Sequence, residues 1–144
     1  MKLSANLGLL WSELPLLERV YKAKEKNFDA VEFQFPYEVD ANELKKAIDK
    51  INLPIIGINT IKGNVSKGDN GLNAVPSRVQ EARSAIDQAI EYAKVIGSKN
   101  IHFMCGITEQ NHNSLKTLVE NLQYAVSQLN DTNIGCLLYT SPSP

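Results

Sequence analysis

Short runs in which apolar and polar residues alternate recur along the chain, and each is followed by a longer stretch with apolar residues three and four apart. The first kind has the period of a strand and the second that of a helix. Strands are expected at Lys2 to Leu7, Ala30 to Phe35, Pro54 to Asn59 and Asn100 to Cys105, with a fifth beginning near Asn133. The first helix opens at Pro15, a residue suited to a first helical position, carries Leu16, Leu17, Val20 and Tyr21 on one face, and stops near Asn27. Asp40 with Glu43 marks the start of a second helix whose inward face is Leu44, Ala47, Ile48 and Ile51. Ser77 with Gln80 has the form of another capping box, ahead of Val79, Ala82, Ile86, Ala89, Ile90 and Ala93, with Gly97 as the stop. A fourth helix over roughly Ser114 to Leu129 should turn Leu115, Leu118, Val119, Leu122, Val126 and Leu129 inward.

Strands alternating with helices imply a parallel sheet with right-handed crossovers. Two architectures satisfy that: an open doubly wound sheet, or part of a (β/α) barrel. A doubly wound sheet is covered on both faces, so its strands read as continuous apolar runs. Here Ser4 and Asn6, Glu32 and Gln34, and His102 interrupt the apolar pattern on alternate positions, which gives one polar face and one apolar face. A barrel uses both, packing apolar residues against outer helices and turning polar ones toward the mouth. Pro142 and Pro144 also stand where a helix would have to complete a five-stranded open sheet. The expected class is therefore α/β, a parallel (β/α) barrel of TIM type truncated to about the first four strand–helix units plus part of a fifth strand.

At 144 residues the chain is long enough for one core yet well short of the ~250 residues of a closed eight-unit barrel. Its formal charge of −1, with cations and anions interleaved, supplies no basic stripe, so nucleic acid is not an expected partner. No apolar run approaches the ~20 residues of a bilayer span. Met1 to Trp11 has the outline of a secretory leader, but Ser4, Asn6 and Glu13 break it, and a buried first strand is the expected reading. Cys105 and Cys136 are far apart without metal-ligand spacing, which fits two packed thiols in a reducing cytoplasm.

Glu32, in the middle of an apolar strand, needs a donor network or a cation if it faces inward. A structural acceptor and a proton-transfer group both fit it. His102, flanked by Ile101 and Phe103, could bind a substrate oxygen, shuttle a proton or serve as a hydrogen-bonded core residue, whereas His112 between two asparagines reads as a solvated turn residue. Asn59 ends the third strand, where barrel sites are built, and leads into a loop containing Gly63, Gly68 and Gly71. That loop lacks both the Walker and the dinucleotide fingerprints. Trp11 and Phe35 are candidate pocket walls or core residues. These residues describe a polar pocket of sugar size and leave the reaction open.

The wording of five segments is more specific. Ser4-Ala5-Asn6-Leu7, Val31-Glu32-Phe33-Gln34-Phe35-Pro36-Tyr37, the Asn59 turn, Gly68-Asp69-Asn70-Gly71-Leu72 with Val75-Pro76-Ser77-Arg78, and Ile101-His102-Phe103-Met104-Cys105-Gly106 resemble, in order and spacing, the hydroxypyruvate isomerase family of xylose-isomerase-like barrels. The similarity runs to about Ile134. It implies reversible conversion of hydroxypyruvate to tartronate semialdehyde through an enediol, with two glutamates at the ends of the fifth and eighth strands sharing the proton transfers. The small hydroxy-oxo acid is the implied partner, and related sugar or 2-oxo-tetronate isomerases are the nearest alternatives. An endonuclease relative is disfavoured by the neutral charge.

Where the first family glutamate should stand, the chain has Tyr139-Thr140, and a phenol of pKa ~10 does not replace a carboxylate base. No catalytic or metal-binding residue is therefore assigned here. The resemblance carries over Asn6, Glu32, Asn59 and His102 as substrate-pocket positions, with Gly71 in a loop expected to close over the substrate. No cofactor is expected in this chain, while a divalent metal fits the full-length parent. The expected division is residues 1–134 as an isomerase-like half barrel and 135–144 as an irregular tail outside the family. On this reading the isolated chain is inactive, and its open edges are available for self-association; a non-catalytic half-barrel module is the alternative from a different class.

Overall fold

A computed structural model describes residues 1–138 of the chain. The strands are β1 (Ser4–Asn6), β2 (Ala30–Glu32), β3 (Ile58–Asn59), β4 (Asn100–His102) and β5 (Gly135–Leu137). The helices are α1 (Leu16–Glu25), α2 (Ala41–Ile51), α3 (Val79–Ile96) and α4 (His112–Leu129). β1 pairs with β2, β3 with β4 and β4 with β5, all parallel, and a Val31–Ile55 bridge joins β2 to the segment leading into β3. Strand order thus follows chain order.

Each helix packs on the helix before it, α1 on α2, α2 on α3 and α3 on α4, so all four cover one side of the sheet. Ala5, Val31, Phe33, Ile58, Ile101 and Phe103 point into that layer and are buried with Leu44, Ile48, Ile86 and Ile90 from the helices. The helices on one side and the polar pleat on the other make an open arc of a barrel. This is the architecture expected from the alternation in the strands.

The helix boundaries follow from local chemistry. Asp40 caps α2 by accepting from the backbone N–H groups of Asn42 (3.0 Å) and Glu43 (3.1 Å), and Asn52 closes the helix at φ +51°. Asn27, φ +60°, turns the chain after α1, and Gly97, φ +73°, ends α3. Asn111 caps α4 through a bond from the Ser114 N–H at 3.0 Å. His112 is accordingly the first residue of that helix and is solvent-exposed.

Several expectations need correction. The regular strands are two or three residues long, and single backbone bonds, such as those from the Leu7 N–H to the Glu32 carbonyl (2.9 Å) and from the Phe103 N–H to the Leu137 carbonyl (3.0 Å), carry the pairing slightly further. Tyr21 faces solvent, and Ala23 takes its place in the buried face of α1. Ser77 forms no capping box: Pro76–Arg78 is a 3-10 turn, and Arg78 binds Asp69 and Glu81 while standing at the N-cap of α3. The apolar stripe of α4 is largely outside, with Leu115, Val119 and Val126 at 60%, 45% and 51% exposure. Its buried side is Ser114, Thr117, Asn121, Ala125 and Leu129, held by a bond from Asn121 Nδ2 to the Asn73 carbonyl at 2.9 Å. Gly135–Leu137 is β5, in register with Asn100–His102, so the fifth strand expected near Asn133 runs into the stretch from residue 135 that was expected to be irregular. Tyr139 and the two terminal prolines lie outside the described residues.

Candidate functional site

Parallel register sets the site. β1 and β2 place Asn6 beside Glu32, and β3 and β4 place Asn59 beside His102. Registered neighbours in a sheet share a face, so all four side chains leave the pleat on the side away from the helices. They line one cavity of about 240 Å³ together with Gln34 and Leu137. The cavity lies at the C-terminal ends of the strands, where barrels bind their ligands.

Asn6 organises its corner. Its Nδ2 donates to Glu32 Oε1 at 2.8 Å, while its Oδ1 accepts the Gly8 N–H at 3.0 Å. The amide is thus fixed at both ends, and it aims a donor at the carboxylate, which satisfies a group that cannot stand unpaired in a strand. Asn59 is anchored through its backbone, donating its N–H to the Gln34 carbonyl at 3.0 Å and accepting from the Tyr37 hydroxyl at 2.5 Å. Burial pushes His102 below the ordinary imidazole value, which favours the neutral ring near pH 7.

Gly71 is not part of this group. Its N–H donates to the Lys62 carbonyl at 2.8 Å, and an antiparallel bridge joins it to Cys105. Ala74 N–H then donates to the Cys105 carbonyl at 2.7 Å, and Asn73 Nδ2 to the Met104 carbonyl at 2.9 Å. The base of the loop is therefore stapled to the chain beyond β4. Gly71, at φ +113°, and Gly106, at φ +96°, approach so closely that a Cβ on Gly71 would lie 2.6 Å from the Met104 carbonyl oxygen. An ion pair from Arg78 to Asp69 at 2.6 Å ties the loop again near its tip, and this bond holds the Asp69 carboxyl below its usual range. Gly71 is thus an anchored point of the loop.

Trp11, at φ +55°, stands edge-on to Phe28 against the core and does not line the main cavity. Phe35 carries the Lys62 ammonium 4.9 Å from its ring centroid and borders a separate small cavity with Gly8 and Gln34. Cys105 is half-buried with its thiol pushed up by that burial, and Cys136 is exposed, so the pair does not share a packed setting. Among the described residues no three His, Cys, Asp or Glu side chains gather as a metal cluster. Glu32 and His102 alone fall short of the donor set of a divalent ion. Likewise, no described helix is long and apolar enough to cross a membrane.

Sequence reasoning passed over Gln34 and Tyr37 as site residues. Gln34 shares the parity of Glu32 and was legible on that ground; Tyr37 follows a proline in a loop and has no period to betray it.

An arc of parallel strands with helices outside and a polar pocket at the strand ends defines a ligand-binding (β/α) barrel segment. Residues 20–139 match the xylose isomerase-like TIM barrel family, and the chain belongs to it. The chain is 36% identical to the 2-oxo-tetronate isomerase of Haemophilus influenzae over 127 residues, covering 86% of this chain and 49% of that protein. It is also 36% identical to the hydroxypyruvate isomerase of Escherichia coli over 141 residues, covering 96% and 55%. A crystal structure described as an AP endonuclease, family 2, from Brucella melitensis superposes with a TM-score of 0.89 at 35% identity, covering 96% of this chain and 55% of that one. The chain spans about half the length of the curated relatives it matches.

Proposed function

We propose that this chain supplies the first half of the pocket of a sugar-acid isomerase that interconverts hydroxypyruvate and tartronate semialdehyde. The observation that carries the reading is the convergence of Asn6, Glu32, Asn59 and His102 on one small polar cavity. The names of the two isomerase relatives supply the substrate class. In the forward direction a base takes a proton from the hydroxymethyl carbon, and the carbonyl oxygen gains one to give the enediol. The terminal hydroxyl then loses its proton as the former carbonyl carbon gains one, leaving an aldehyde beside a secondary alcohol. Within this half, Glu32 accepts from a substrate hydroxyl, Asn59 donates to an oxygen, and neutral His102 hydrogen-bonds the enediol. The groups that move the carbon-bound proton are assigned to the part of the relatives' length that this chain does not span, so these 144 residues alone are expected to be inactive. A 2-oxo-tetronate is the second substrate to try.

The test is a chimera of residues 1–134 with the second half of the Escherichia coli hydroxypyruvate isomerase, assayed by NMR with both acids. The expected result is turnover by the chimera and none by the 144-residue chain. A chimera that folds, by circular dichroism, and equilibrates neither acid overturns the reading.

The exposed stripe of Leu115, Val119 and Val126 supports a second reading, in which the chain associates through its open side as a half-barrel module. A monomer by sedimentation at micromolar concentration would defeat it.

A further inference from the structure

We infer that Tyr37 is a positioning residue for Asn59, supplying from a side chain the hydrogen bond that Pro36 cannot supply from the backbone. The bonds that connect β2 and its extension to the β3 segment run Val31 N–H to Pro54 O, Ile56 N–H to Val31 O, Phe33 N–H to Gly57 O and Asn59 N–H to Gln34 O. In a parallel ladder the N–H and C=O of one residue point to the same neighbour and bond residues two apart there. Asn59 spends its N–H on Gln34, so a ladder continued from there would pair its carbonyl with the backbone nitrogen of residue 36. That residue is proline, which has no N–H.

The Tyr37 hydroxyl fills the gap at 2.5 Å. Burial raises its pKa, so the phenol keeps its proton as a donor through the neutral range. Its ring stands edge-on to Tyr92 of α3, centroids 5.2 Å apart at 70°. The Tyr92 hydroxyl in turn lies 2.9 Å from the Pro36 carbonyl and 2.8 Å from that of Val39, sharing its proton between them. α3 therefore holds the loop, the loop presents the phenol, and the phenol fixes the peptide plane of Asn59. Rotamer preference follows backbone angles, so a fixed plane holds the Asn59 amide in one direction inside the cavity.

The functional part of this inference rests on the isomerase reading, and two measurements separate them. Three-bond couplings of Asn59 in the 144-residue chain report its χ1 without any turnover. Tyr37→Phe is expected to replace one rotamer by an average, and adding Pro36→Ala, which restores a backbone N–H, is expected to recover it. Should Tyr37→Phe not fold, Tyr92→Phe loosens the same loop with the Tyr37 hydroxyl still present, and partial averaging is expected. Unchanged couplings in the folded variant overturn the proposal.

In the chimera, Tyr37→Phe is expected to lower kcat/KM by about 10-fold to 100-fold. In an Asn59→Ala background it should lower it no further. Independent, multiplying losses would mean that Tyr37 does not act through Asn59. An inactive chimera with the coupling result intact would remove the isomerase reading and leave the positioning role standing.

Discussion

Replacing Gly71 by alanine tests the clasp between the long loop and the end of β4. An L-residue held at φ +113° lies outside even the left-handed helical region, which costs about 1–3 kcal/mol. The new Cβ would also sit 2.6 Å from the Met104 carbonyl oxygen and 2.7 Å from the Gly106 nitrogen. Both neighbours are backbone, so relief requires the two segments to separate, adding about 1–3 kcal/mol as in other overpacked sites. Gly97→Ala is the control: its φ is +73° and nothing lies within 4 Å of its built Cβ, so only the left-handed cost of about 1 kcal/mol applies. The expected difference is about 3 kcal/mol, roughly two orders of magnitude in the folding equilibrium. In thermal melts that corresponds to a gap of roughly 6–12 °C for a domain of this size. Urea unfolding followed by circular dichroism measures it directly. If Gly71→Ala costs no more than Gly97→Ala, the close approach is not what the geometry says it is.

Two further outcomes follow from the same structure. Burial lowers the pKa of His102 in the folded chain, so on acidification the unfolded state takes the proton first. The His102 contribution is fully present above the free imidazole value of ~6.5 and is lost as the pH falls from there toward the lowered folded value; His102→Asn should flatten that part of the unfolding profile, and an unchanged profile would remove burial as its cause. On α4, Leu115→Lys and Val126→Lys should leave stability within about 0.5 kcal/mol and reduce association between copies in sedimentation, whereas Leu129→Ala, at a position 6% exposed, should cost about 2–5 kcal/mol.

The alternation of Asn6, Glu32 and His102 with apolar neighbours was enough to choose a barrel over a doubly wound sheet, because side-chain parity in a strand is a local property. The cap at Asp40 and the stops at Asn27 and Gly97 were legible for the same reason. Sequence failed where a distant partner decides. Ser77 and Gln80 have the spacing of a capping box, but Arg78 is claimed by Asp69 and Glu81, and the turn closes around that contact. α4 has a regular apolar stripe, yet the face that packs is set by α3 and by Asn73, so polar Asn121 goes inside and Leu115 outside. Gly71 was expected in a loop that closes over the substrate, where the permissiveness of glycine lets backbone approach closely. Here that permissiveness serves a fixed contact with Gly106, which no local pattern announces.

The agreement of strand order with chain order bears on synthesis. Each parallel strand finds its partner one unit earlier in the sequence, and each helix packs on the helix made before it. Loop closure is then limited to the length of a single unit at every step, which keeps the entropic barrier to each addition low. A polypeptide emerging from the ribosome can add these units one after another onto an edge already waiting for them.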